Sequence, residues 1–278
     1  VAIQLGAIPS TAAQLVDEQG RATRPLQALF TAIRSAFAAV PSSSGQGDIW
    51  RNRRVRVAEI FAAGGQSIGM PLIIPSSTPT PSSASYYASL ARGRFTTAAG
   101  AGSAAGYNGA LSSLYYWLGN AAGLGGFRVE IRFGIDTTVA TTRVGFGLAA
   151  GALTLNANDP SATLNCILCG ADSADTTLQV MSNDAAGVAT KVNLGANYPI
   201  VNNAVYRVVF ETVANSQIVT YTVTREDTIV APVTGTISAD LPSNTTFLGV
   251  VAYVGNGATA AAASMGLVRV LAEETVPQ

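Results

Sequence analysis

Cys166 and Cys169 stand three apart in Cys-Ile-Leu-Cys, a spacing used by zinc sites and redox pairs. A closed zinc site takes four nitrogen or sulfur ligands, and this chain has two Cys and no His to supply them. A redox pair wants a helix N-terminus, whereas the flanks Thr163-Leu-Asn and Gly170-Ala-Asp suit a short strand. Residues three apart on a strand face opposite sides, so the pair reads as two buried, reduced, small apolar side chains. No metal and no cofactor follows from them.

The remaining groups that could move protons are carboxylates. Cleaving a glycan takes two of them, about 5 to 9.5 Å apart, and Asp136, Asp172, Asp175, Asp184 and Glu211 are the candidates. Asp172, Asp175 and Asp184 sit in turn contexts where Asp is expected without any chemistry. With zero His, neither Ser-His-Asp nor Cys-His machinery can be assembled within the chain. The catalytic set is therefore read as none, and the chain is expected not to be an enzyme. Tyr86, Tyr87, Tyr115, Tyr116 and Trp117 could offer flat rings to a sugar. Core packing accounts for them better, and receptor-binding residues stay unassigned.

Charge narrows the partners. Only 12% of residues are charged, sixteen of each sign, so no global field attracts nucleic acid or anionic lipid. The one cluster is Arg51, Arg53, Arg54 and Arg56, which follows Trp50. Without a wider basic surface or interleaved aromatics it does not read as a nucleic-acid site. A docking patch for an acidic neighbour and a solvated strand both remain open. No run of about 18 apolar residues could span a bilayer. The start at Val1 lacks a basic stretch followed by an apolar run and reads as cytosolic synthesis after loss of an initiator Met. With 48% hydrophobic residues, a core can be buried without disulfides.

The elements that must carry these groups are mainly strands. Phe127, Val129, Ile131, Phe133 and Ile135 alternate with Arg128, Glu130, Arg132 and Gly134, the signature of a half-buried antiparallel strand. Further strands are read at Arg143–Leu148, Leu164–Leu168, Leu178–Met181, Val188–Leu194, Tyr206–Val213, Ile218–Thr224, Thr246–Tyr253 and Met265–Leu271. Asn215-Ser-Gln turns one hairpin. One helix stands apart, opening at Thr23-Arg-Pro25 and stopped by Pro41, with Leu26, Leu29, Phe30, Ile33, Phe37 and Val40 on its apolar face. A helix of this length needs packing to be stable. The flexible Pro41–Gly47 linker favours a symmetry mate or a neighbouring protein as its partner over the chain's own β domain. The expected organisation is an N-terminal arm and anchoring helix (1–41), a linker with an Arg-rich strand (42–62), an irregular Gly/Ser/Pro-rich segment with short strands (63–110), and a β-sandwich domain, jelly-roll-like (111–278).

Certain stretches carry a resemblance. Phe127-Arg-Val-Glu-Ile-Arg-Phe, Arg143-Val-Gly-Phe-Gly-Leu, Gly170-Ala-Asp-Ser-Ala-Asp, Ser182 to Gly195, Tyr206 onward, Leu241–Leu248 and Asn256–Ala261 resemble the β-sandwich domain of fibre and appendage proteins in tailed-bacteriophage virions. The arm Leu15–Pro25 before an apolar helix is similar to the attachment ends of phage tail-associated proteins. What the resemblance implies is a homotrimer, made in the bacterial cytoplasm and carried in the virion. Its N-terminus would be docked on other virion proteins, with the sandwich exposed toward a host surface glycan or protein. A purely architectural head or tail decoration protein and, behind it, a glycan depolymerase are the alternatives. Binding of nucleic acid and insertion into membrane are not expected.

Overall fold

The computed structural model describes residues 53–61, 64–68, 75–108 and 116–275. The alternating stretch forms a strand whose apolar row is sealed: Phe127, Val129, Ile131, Phe133 and Ile135 are all buried, while Arg128 and Arg132 keep partial access to water. Each side chain in that row contributes about 1.5–3 kcal/mol of burial. What it packs against is a second sheet, and the closest meeting of the two layers is Phe133 on Phe146, ring centroids 3.5 Å apart and 11° from parallel.

The described strands in chain order are β1 (Arg53–Phe61), β2 (Gly64–Ile68), β3 (Gly93–Thr96), β4 (Ala104–Asn108), β5 (Phe127–Thr137), β6 (Arg143–Ala149) and β7 (Cys166–Ala171). They continue as β8 (Gln179–Asn183), β9 (Thr190–Asn193), β10 (Val205–Thr212), β11 (Val219–Arg225), β12 (Val233–Ile237), β13 (Gly249–Gly255) and β14 (Ser264–Thr275). One sheet has eight strands in the order β12-β11-β10-β5-β14-β1-β2, with β3 also on β14, and the other has six in the order β4-β13-β6-β7-β8-β9. All pairings between these strands are antiparallel. The expected mainly-β antiparallel sandwich is what the chain forms, with the core between the layers.

The sandwich reaches further toward the N-terminus than residue 111. Arg53–Phe61, expected as an Arg-rich strand within a linker, pairs with β14 from Arg53↔Thr275 to Glu59↔Arg269, and β3 pairs with the start of the same strand. The reason is length: β14 runs for 12 residues, and a register shift between Leu267 and Arg269 separates the part that takes β3 from the part that takes β1. β4 likewise closes one edge of the smaller sheet against β13. The helix read at 25–41 lies outside the described residues, as does most of the apolar run Ile68–Pro75.

The outer face of the smaller sheet is covered by the chain between β6 and β7. Leu153 and Leu155 lie over Ala149, Cys166, Leu168, Met181 and Val251 in a second apolar cluster. Gly145 leaves room for this packing, since a Cβ there would come within 2.7 Å of Leu153 Cδ1. Beside it, fully buried Asn256 ties two loops together. Its Nδ2 lies 3.0, 2.8 and 2.9 Å from the carbonyls of Ala98, Gly100 and Ala261, and its Oδ1 accepts from Ser103 N at 2.8 Å. Asn256→Asp replaces the donating amide with a charge facing three carbonyls. It is expected to cost about 3 kcal/mol or more in urea unfolding, against ~2 kcal/mol for Asn256→Ala. Equal stability of all three proteins would refute this role.

Candidate functional site

At the end of the sandwich where β5 gives way to β6, three loops enclose a cleft of about 500 Å³: residues 138–142, 175–177 and 196–201. Its lining includes the aliphatic residues Val139, Pro199 and Ile200 and the polar residues Thr138, Thr176, Thr177 and Asp175.

Each wall is held from behind. Thr142 Oγ1 donates to Val139 O at 2.8 Å and accepts from Val139 N at 2.6 Å, which closes the first loop on itself. The second loop is clamped by Lys191 of β9, whose ammonium lies 2.6 Å from Asp172 and 2.9 Å from Asp175. Asp172 also accepts from Ser161 Oγ at 2.7 Å. The third loop rests on Tyr198, whose hydroxyl lies 3.0 Å from Val223 O and 2.9 Å from Ala231 O, and on Tyr206, whose hydroxyl donates to Pro199 O. Arg225 completes the support, donating to Asn197 O at 3.1 Å while pairing with Asp227 at 2.9 Å. Walls fixed in this way present their polar groups without having to be ordered by a ligand.

The residues singled out by chemistry are dispersed. Cys169 faces the inter-sheet core and Cys166 the outer cluster, so the pair straddles β7. Burial pushes both thiols up to about 12, for Cys166 against a backbone hydrogen bond from Asn183 that pulls the other way. Among the described residues no group of three or more His, Cys, Asp or Glu could hold a metal ion. Asp136 is gripped by Arg92 at 3.3 Å and Arg94 at 3.0 Å on the outer face of the larger sheet. Asp184 caps its own turn through Ala186 N, and Glu211 stands opposite Arg128 in the register of β10 and β5.

The aromatic candidates are dispersed too. Tyr87 and Tyr116 are buried, Tyr86 is 44% exposed beside Arg132 and Glu226, and Trp117 leans on the exposed Phe247 with ring centroids 5.5 Å apart. Of the arginine patch, Arg53, Arg54 and Arg56 occupy β1 opposite Thr275, Glu274 and Ala272, so their backbone belongs to the sheet. Arg51, Tyr115 and the six apolar helix residues Leu26, Leu29, Phe30, Ile33, Phe37 and Val40 lie outside the described residues. Of the singled-out residues that are described, Asp175 alone lines the cleft.

The ion pairs set how stability depends on pH. Partial burial alone would raise Asp227, but hydrogen bonds from Arg225 and Val205 N outweigh it and hold the carboxyl below the ordinary range. Asp159 is held low in the same sense, burial being outweighed by Ser173 and Arg143. A lowered carboxyl contributes stability above its unfolded value of about 4 and loses it as pH falls through the folded value. Asp227→Asn is therefore expected to flatten the fall in unfolding free energy below pH 4, with an unchanged acid profile as the contrary result. Burial pulls Lys191 down, and its bonds to Asp172 and Asp175 raise it overall, so its contribution is present below its unfolded value and lost as pH rises through the folded one. Lys191→Met should cost about 1–2 kcal/mol at pH 7, measured by urea unfolding. A neutral effect would show that the clamp does not hold the loop.

No protein-family model matches the sequence, and no curated protein does. Solved structures give a likeness of fold. A protein of unknown function from Shewanella oneidensis MR-1 superposes with a TM-score of 0.50 at 13% identity, covering 85% of this chain and 94% of that one. Arcelin-5, a lectin-like defense protein from Phaseolus vulgaris, does so with a TM-score of 0.50 at 10% identity, covering 81% of this chain and 99% of the other. The architecture is thus one shared with lectin-like β-sandwiches.

Proposed function

We propose that this chain is a structural and adhesive component of a tailed-phage virion, docked on the particle through its N-terminal part and presenting its β-sandwich to the host surface. The observation that carries the reading is how the candidate acids are used. Asp136, Asp172 and Asp175, three of the five candidate acids, are each held by a cation within 3.3 Å and serve as ion-pair partners that fasten neighbouring segments. A rigid scaffold with fixed loop ends suits binding. The resemblance of its strand and turn residues to phage appendage domains supplies the setting, and the apolar series Leu26 to Val40 supplies the plug for trimer or particle.

Fluorescently labelled chain should adsorb saturably to susceptible host cells, sediment as a trimer, and release no reducing ends from host polysaccharide. Reducing ends would overturn the non-catalytic reading. Absence of adsorption would leave an architectural decoration protein of head or tail.

A further inference from the structure

The open hydrogen-bonding capacity around the loop-end cleft is lopsided. Thr138 Oγ1 donates its proton to Asn202 Oδ1 at 3.1 Å, and Thr177 Oγ1 donates to Asn193 Oδ1 at 3.1 Å. A hydroxyl that has given its one proton can only accept. Asp175 spends Oδ2 on Asp172 N and on Lys191, both at 2.9 Å, while its Oδ1 carries no hydrogen bond among the described residues. Thr176 is exposed and keeps the one hydroxyl proton in this lining that no described residue takes. Among the described residues no Arg or Lys lines the cleft. The site therefore offers several acceptors, one of them a carboxylate, beside the aliphatic lining of Val139, Pro199 and Ile200.

A ligand that answers this arrangement has several donors, an apolar face and no negative charge. A neutral saccharide has all three: its hydroxyls donate, its ring C–H face lies on aliphatic carbon, and it brings no anion toward Asp175. A volume of about 500 Å³ accommodates one or two hexose units. We infer that the cleft between residues 138–142, 175–177 and 196–201 binds a neutral saccharide, with Asp175 Oδ1 and the hydroxyl oxygens of Thr138 and Thr177 accepting from sugar hydroxyls over Val139 and Ile200. This deepens the adhesive reading by naming its ligand class and rests on it for biological meaning. Without an aromatic platform among the lining residues, the affinity for a single sugar is on the order of 1 mM.

The test is titration of the full chain, followed by NMR, with glucose, galactose, N-acetylglucosamine, maltose and lactose, and with glucuronate, N-acetylneuraminate and ethanolamine alongside. At least one neutral sugar should saturate, and glucuronate should bind at least tenfold more weakly than glucose or galactose. Asp175→Asn should weaken binding about tenfold. Because that change also touches the Lys191 clamp, Ala140→Trp, which fills the cleft from an exposed position, should abolish binding with thermal stability retained. Absence of saturation by every neutral sugar, equal binding of the anionic sugars, competition by ethanolamine at equal strength, or unchanged binding in Ala140→Trp would each overturn the assignment. Cell adsorption that survives in Ala140→Trp would overturn the cleft while leaving the adhesive reading intact.

Discussion

Phe133 against Phe146 is the contact from which the sandwich can be read outward. Two rings lie that close because both strands turn an apolar row inward, and β5 does so with five alternate side chains from Phe127 to Ile135. The alternation then dictates the other face. Arg128, Glu130 and Arg132 must point away from the core, and there they find one another and their neighbours: Arg128 pairs with Glu130 at 3.1 Å, and Arg132 and Arg207 share Glu226 at 2.7 and 3.3 Å. Gly134 and Gly266 interrupt this charged face, and the Tyr87 ring lies where their side chains would be. Arg92 stacks on that ring at 4.2 Å while holding Asp136, so the segment before β3 is fastened to the sheet by one aromatic ring and one guanidinium.

The smaller sheet solves a different problem. Its inner face matches the larger sheet, but Cys166, Leu168, Met181 and Val251 face outward and are apolar. Exposed, they would form an aggregation surface. The chain between β6 and β7 lies down over them, and its return is fixed by Arg143 on Asp159 at 2.6 Å and by Asn183 on Ser161 O at 2.8 Å. One outer face is committed to a charge lattice and the other to a covering loop, and the loop ends offer concave surface. The cleft lies at such a loop end, between walls braced by ion pairs and buried hydroxyls.

How much of this was legible follows from which signals are local. β5, β6, β10 and β11 have alternation dense enough to be read directly, and the Asn215 turn carries the left-handed residue its hairpin needs, φ 61°. β3, β4 and β12 are four or five residues long and rich in Gly, Ala and Thr, so their pairing depends on neighbours that no local pattern reveals. β1 was legible as an Arg-rich strand but its place in the sheet was not, because the strand it pairs with, β14, lies at the far end of the chain. The straddling of β7 by the two Cys needed only a period of two, and the buried state of Tyr87 and Tyr116 needed only the burial habits of aromatics. The cleft was not legible. Its residues come from three loops, its hydroxyls and aliphatic carbons belong to no motif, and Asp175 looked like an ordinary turn aspartate because it is also one.

That double use of Asp175 has an electrostatic consequence. Asp172 and Asp175 bring two negative charges to the ammonium of Lys191, so the cluster that braces the second wall keeps one uncompensated negative charge next to the cleft. A charge about 5 Å from a bound anion, at an effective dielectric between 20 and 80, costs about 1–3 kcal/mol. A neutral ligand escapes this cost. The same three side chains thus fix the shape of the wall and set the sign of what it excludes, which means that a second cation in the cluster would alter selectivity without moving the loop.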